Sequence, residues 1–370
     1  MVGTGNANGW RVGEKKPTID DVATLSGVGR TTVSRVLNGG PNVRDEVRER
    51  VQRAVTMLNY KVNVQARFLA GGASRQLTLV HASDLDVEPN SYYQSGLELG
   101  ALRACSERGF MLNTLTVNPA DPGYCQRILD SIASLRSEGI ILTPPFSDDL
   151  ALVQTLIEHK CPTVCVSGGE AVARIAGAVG IDDEAGGHAM ARHLISLGHR
   201  HFGYIDGLEE HLSAARRLDG FRRALNEAGI GAEAGAGQLQ VARGNFTFRS
   251  GIEIAEHMLA SQHRPTALVC ANDDMAAGAM LTPHRMGLEI PADLSVSGFD
   301  DTPVSEIIWP PLTTVHQPIR RIGHGAVQMV TQAIQAGRTS TEAGFQSVPY
   351  RMVPRASTGR PALEAIPSAD

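Results

Sequence analysis

Apolar positions recur at helical spacing over the first sixty residues and in short runs thereafter. Ile19, Val22 and Ala23 fall on one face of a first helix, Val33, Val36 and Leu37 on one face of a second, and Val47, Val51, Val55 and Leu58 mark a third. Asn38-Gly39-Gly40-Pro41 follows the second, where glycine takes a left-handed position and proline forbids continuation. From Gln76 the rhythm changes to "LTLVHA", "GFMLNTLTV", "EGIILTPP", "CPTVCVS", "HFGYIDG", "PTALVCAND" and "LSVSGFDD", with amphipathic helical stretches between. Strands alternating with helices predict an α/β body of parallel sheets joined by right-handed crossovers, long enough for two sheets side by side. Ligands of such sheets sit beyond the carboxyl ends of strands, and those ends carry Ser167, Asn272-Asp273 and Asp300-Asp301.

Within the head, "TIDDVATLSGVGRTTVSRVL" has the spacing of a helix-turn-helix: small Ala23 lets two helices approach, Gly27 turns the chain and Val33 anchors the second helix. With Val33, Val36 and Leu37 turned inward, Arg30, Thr31, Ser34 and Arg35 face outward. Arginine can bond bidentately to guanine in the major groove and threonine can touch a thymine methyl. A solvated helix in an ordinary bundle is the competing reading of the same pattern.

Charge sharpens this picture. The 370 residues carry a net −5, yet residues 1–75 hold 12 Lys/Arg against 6 Asp/Glu, leaving 22 against 33 for the remainder. A basic head on an acidic body points to a polyanion at one end. The first 17 residues lack the apolar middle of a secretory signal, and no apolar run approaches a membrane span. The five cysteines are scattered without a CxxC pair, so neither a disulfide framework nor a zinc site is expected, and Cys161 and Cys165 read as strand packing in a reducing cytoplasm.

The stretch 18–72 resembles the DNA-binding head and hinge of the lactose-repressor/galactose-repressor (LacI/GalR) family of bacterial transcription regulators. The likeness continues through "GIILTPP", "LISLGHRHFGYIDG", "RRLDGFRRAL", "PTALVCANDDMAAGAM" and "DLSVSGFDDTPVSEIIWPPLTTVHQPI" to "MVPRASTG". It implies a homodimer whose heads bind a palindromic operator and whose two-lobed body, shaped like a periplasmic sugar-binding protein, binds a small effector between the lobes. The implied organisation is a lead-in over 1–16, the helix-turn-helix domain over 17–62, a hinge over 63–75, the effector and dimerisation body over 76–359 and a loose tail over 360–370. The tail has no leucine heptad, so a dimer along both lobes is expected over a coiled-coil tetramer.

By the same resemblance, Arg30, Thr31 and Arg35 read bases, Thr32 and Ser34 hold phosphates, and Asn38 belongs to the same surface. In the hinge "NVQARFLAGG", Leu69 matches a leucine wedged into the minor groove, with Asn63 and Ala66 at neighbouring contacts; a plain linker packing Leu69 on the body is the alternative. Two departures stand out. Gly29 replaces the usual serine opening the recognition helix. Arg44 replaces the serine or threonine opening the third helix, where its charge opposes the helix dipole unless a phosphate lies there. Val62 stands where a proline is frequent.

The family's effector positions match Arg217, Asn272 and Asp300, with Tyr92, Tyr93, Ser167, Phe246, Phe299 and Gln317 as further lining positions. A guanidinium fork, a carboxylate, an amide and aromatic faces suit a sugar or sugar derivative, and a nucleobase would use the same chemistry. Each residue has a structural role open to it as well: Asp300 capping a turn, Asn272 capping a helix, Arg217 pairing with Asp219 or another carboxylate, and the aromatics packing in the core. "GTGNANG" follows no strand, and there is no Walker lysine motif, HExxH or GxSxG, so no enzyme, cofactor or metal site is expected, and His199 and His201 read as structural. The rival is a cytoplasmic sugar-binding or sugar-modifying α/β protein whose helical head serves protein contacts.

Overall fold

The computed structural model describes residues 17–37, 40–60, 73–82, 91–231, 238–261 and 263–362. Asn38, Asn63, Ala66, Leu69 and the lead-in over 1–16 lie outside the described residues. The chain divides into two compact units, Met1–Ser74 and Arg75–Asp370.

In the first unit, α1 (Ile19–Ser26), α2 (Arg30–Leu37) and α3 (Asp45–Met57) enclose a small core of Val22, Val33, Val36, Val51, Ala54 and Tyr60. Thr18 and Asp21 cap α1 reciprocally, which satisfies two otherwise orphaned amides. Gly27 closes α1 at φ 65°, a left-handed conformation that costs glycine nothing. The chain then enters α2 through Gly29, whose carbonyl accepts from the Thr32 and Val33 amides.

The second unit has two lobes. Lobe 1 is a parallel sheet formed by β1 (Gln76–Ala82), β2 (Met111–Val117), β3 (Gly139–Leu142), β4 (Thr163–Val166), β5 (Gly177–Gly180) and β11 (Gly344–Ser347), in the order β11-β5-β4-β3-β1-β2. Its helices are α4 (Ser91–Arg108), α5 (Tyr124–Leu135), α6 (Leu150–Glu158), α7 (Glu170–Ala173) and α13 (Ile319–Gln335). Lobe 2 carries β6 (His201–Asp206), β7 (Gln238–Arg243), β8 (Ala267–Cys270) and β9 (Ser295–Ser297) in the order β7-β6-β8-β9. Around them lie α8 (Asp183–Leu197), α9 (Leu212–Glu227), α10 (Phe248–Leu259), α11 (Asp273–Arg285) and α12 (Val304–Ile307), with an antiparallel pair of β10 (Thr314–His316) and β12 (Arg351–Val353). The chain crosses between lobes three times, after β5, after β10 and after β11. One apolar cluster runs from Leu77 and Leu79 through Phe202 and Phe221 to Val327 and Val330, so both lobes share a core.

All seven strands expected from the apolar runs are present. β5 ("GAVG"), β7 and β10 to β12 were not anticipated. β5 and β11 each contain glycine, and β10 and β12 are three residues long, so they give little alternation to read.

Three helix pairs touch backbone to backbone through glycines. A Cβ on Gly100 would fall within the Arg320 carbonyl and one on Gly323 within that of Leu97, where α4 crosses α13. Gly187 and Gly220 do the same between α8 and α9, and Gly251 and Gly278 between α10 and α11.

Candidate operator-reading and effector sites

On α2, Val33 and Val36 are buried while Arg30, Thr31 and Arg35 are exposed and Thr32 and Ser34 half-buried. The three residues expected to read bases are therefore those most open to a partner. Arg30 lies 3.7 Å from Asp20 of α1, an exposed pair that a DNA partner can displace. Arg44 is exposed at the N-cap of α3 and makes no side-chain cap bond, and Asp45 and Glu46 occupy the first turn. Its guanidinium is thus not spent on the helix it opens.

The second site lies where the strand ends of the two lobes face each other. Arg217 on α9 is buried; its Nε donates to Asp183 Oδ1 at 2.9 Å and its Nη1 to the Ala271 carbonyl at 2.7 Å. Its guanidinium lies 3.8 Å above the Phe299 ring and 3.7 Å from Asp300 Oδ1. Burial alone would lower its proton affinity, but Asp183 and Asp300 hold it above the ordinary value. A buried guanidinium persists only with such pairing. Asp219, a surface alternative for Arg217, faces Arg222 instead.

Asp300 follows β9 in a turn with φ 113°, and Asp301 with φ 57°, conformations that side-chain-bearing residues seldom adopt. Three things hold the turn. The Asp300 amide donates to the Val315 carbonyl at 2.9 Å. The Gln317 amide side chain donates to Asp300 Oδ1. Buried Asp273 accepts from the Thr302 amide at 2.7 Å, the Thr302 hydroxyl at 3.1 Å and the Thr314 hydroxyl at 2.7 Å. The consecutive carboxylates then diverge. Burial pushes Asp300 up to about 7, opposed by Arg217 and Gln317. Burial would also raise Asp301, but Arg355 at 2.6 Å and His316 at 2.9 Å hold it below the usual range. Burial and the neighbouring Asp300 raise Asp273 well above the carboxylate range.

Lobe 1 answers with Tyr93 at the start of α4 and Ser167 after β4, which hydrogen-bond to one another. Burial and the Asp300 charge raise the Tyr93 phenol, so it stays a neutral donor. Ser167 sits at φ 52°, and its carbonyl accepts from Arg216 of α9, a direct bond between lobes. Asp148, in a short 3-10 turn (Phe146–Asp148), takes the Gly169 amide at 2.7 Å; burial lifts it to about 6 against the pull of that amide and Arg216.

Arg217, Asp300, Phe299, Gln317, Tyr93 and Ser167 are thus brought together. Asn272 also does the structural duty open to it: its Oδ1 caps α11 on the Met275 amide at 3.0 Å and its Nδ2 donates to the Phe246 carbonyl at 2.9 Å. Phe246 packs against His211 at 5.0 Å between ring centroids. Tyr92 is exposed. Sequence reasoning missed Asp183, Asp148 and Arg216; the only signal was polarity next to a strand end or beside Arg217. His199 is structural as expected, bonded to Thr266, Ser295 and the Gly359 carbonyl. Among the described residues no His, Cys, Asp or Glu cluster could hold a metal, and no helix is long and apolar enough to cross a membrane.

Comparison with known proteins covers both units of the chain. Residues 18–63 match the model for bacterial regulatory proteins of the lacI family, and 191–358 that for a periplasmic binding protein-like domain. The HTH-type transcriptional repressor PurR of Klebsiella pneumoniae is 32% identical over 88% of this chain and 92% of its own length. The Lac repressor dimer bound to operator and the anti-inducer ONPF superposes with a TM-score of 0.77 at 29% identity, over 93% of this chain and 100% of that one. The regulator CelR in complex with cellobiose gives 0.66 at 30%, over 92% and 99%. The chain belongs to the LacI family of bacterial regulatory proteins and is a DNA-binding transcriptional regulator.

Proposed function

We propose that α2 enters the major groove of a palindromic operator, with Arg30, Thr31 and Arg35 reading base edges and Thr32, Ser34 and Arg44 holding phosphates. The observation that carries this is the division of α2, with its valines buried and Arg30, Thr31 and Arg35 exposed. Phosphate contacts set register and base contacts set sequence. Asn38 and the hinge residues Asn63, Ala66 and Leu69 complete the surface by the family resemblance alone. The head, hinge and body divide near residues 62 and 75.

A small effector binds between the lobes against Arg217, Asp300, Phe299, Gln317, Tyr93 and Ser167, with Asn272, Phe246 and Tyr92 at the margins, and it is bound without being transformed. Because the cleft is bridged by bonds from both lobes, a ligand that favours one lobe arrangement shifts operator affinity by its differential affinity, typically 1–3 kcal/mol. We read the protein as a cytoplasmic repressor released by a sugar. Exposed Leu99, Leu102 and Met111 on lobe 1 and Ile307 and Trp309 on lobe 2 are apolar surface of the kind a second copy covers, in keeping with a homodimer.

The test is titration of the full-length protein against the promoter fragment of its own gene, with and without a panel of sugars. Specific, salt-sensitive binding abolished by one sugar is the expected result. Absence of specific binding to palindromic sites drawn from the whole genome would refute the reading.

A further inference from the structure

Resting on the cleft being the effector site, we infer that the effector is a hydroxyl-rich molecule with no anionic group, so that phosphorylated and uronic acid forms of a sugar are rejected.

The charges at the cleft carry the argument. Among the described residues the charges acting on one another here are the cations Arg216 and Arg217 and the carboxylates Asp148, Asp183, Asp206, Asp273, Asp274 and Asp300, while Arg222 and Arg243, which also act on Asp206, are paired with Asp219 and Glu209. Arg217 is not available as a counterion, and Arg216 keeps only its Nε open. Arg217 is engaged by Asp183, the Ala271 carbonyl and the Phe299 face. Arg216 is engaged by the Ser167 carbonyl and by the charge of Asp148. His211 adds no cation, since burial lowers it to about 4. An anionic ligand would enter a buried site already rich in carboxylates, where exclusion of water strengthens repulsion.

The unspent hydrogen-bonding groups point the same way. Gln317 turns its Nε2 to Asp300 Oδ1, which leaves Gln317 Oε1 buried with no partner. Asp148 Oδ2, Ser147 Oγ and Arg216 Nε are also buried without a hydrogen-bond partner, although the Leu212 amide of α9 faces the Asp148 carboxylate. Acceptors outnumber donors in this set. A hydroxyl, which both donates and accepts, completes it; a phosphate or carboxylate, which only accepts, does not.

The experiment is calorimetric titration of the full-length protein with charge-matched families: glucose with glucosamine, glucose 6-phosphate and glucuronate; ribose with ribose 5-phosphate; cellobiose with cellobionate; and pooled neutral and acidic saccharides and polyols. The tightest ligand should be neutral or amine-bearing, with its acidic counterpart at least about a hundredfold weaker. At pH 8, above the values to which burial lifts both carboxyls, Asp300→Asn, or Asp148→Asn on the other lobe, should narrow that gap about tenfold by removing one surplus charge, a change of ratio that loss of packing would not produce. An acidic ligand binding as tightly as its neutral parent and still altering operator affinity would overturn the charge inference while leaving the cleft reading intact. Binding of no member of any charge would overturn the cleft reading, and the inference with it.

Discussion

Asp300→Asn tests whether the cleft stores electrostatic strain. The carboxyl titrates near 7 in the folded protein against about 3.9 for an unfolded aspartate. The native state therefore holds its proton more tightly, and wild-type stability falls as pH rises from about 4 to about 7, then levels off. A rise of that size in proton affinity corresponds to about 4 kcal/mol. Asparagine keeps the shape and the bond from Gln317 but removes the titration and the repulsion of Asp273, so the difference belongs to the carboxylate pair. It also removes one of the two carboxylates facing Arg217, which offsets on the order of 1–2 kcal/mol. The expected result is that the stability difference moves in favour of the variant by about 2–3 kcal/mol between pH 5 and pH 8. Urea unfolding of the full-length protein, followed by far-ultraviolet circular dichroism across that range, measures it. Parallel wild-type and variant profiles would show that Asp300 is not held neutral by burial and that the reasoning is wrong.

Arg35→Ala should weaken operator binding by about 1–3 kcal/mol and relax preference at one base pair, whereas Arg44→Ala should weaken all sequences alike and lower the salt slope by about one; fluorescence anisotropy at several salt concentrations separates the two. An Arg44→Ala protein that kept its full salt slope would remove Arg44 from the backbone contacts. Trp309→Glu should shift a dimer toward monomer at micromolar concentration by light scattering, given the open position of this indole. Gly220→Ala, whose methyl would fall within the Glu184 carbonyl, should cost about 1–3 kcal/mol and weaken effector binding, because α8 and α9 carry Asp183 and Arg217. Gly325→Ala in α13, where the methyl would meet only Val179 at 3.4 Å, should be neutral or stabilising in the same melt.

The head was legible because its core side chains repeat at helical spacing and a glycine and a proline mark its ends. The main strands were legible because apolar runs punctuated the body. The cleft was half legible. Asp300 stands at a strand end where polarity is conspicuous and Arg217 and Gln317 came from the family resemblance, but Asp183 lies 34 residues from Arg217 and looks like any acid in a helix's first turn. Asp148 and Arg216 meet only because the two lobes face each other, and no local pattern encodes that. Nor does sequence distinguish Asp300 from Asp301. Their separation in proton affinity comes from what packs on each: Gln317 and a lone Arg217 on one, Arg355 and His316 on the other.

The backbone contact at Gly187 and Gly220 has a consequence for how such a protein changes what it responds to. Where helices meet through side chains, exchanging a residue near the seam alters their spacing, and every group they carry moves. Where they meet main chain on main chain, spacing is set by atoms common to all amino acids, and the residues pointing into the cleft are interchangeable fittings on a fixed frame. On the function proposed above, a new signal is accommodated by replacing a few cleft side chains while the spacing of α8 and α9 stays as it is.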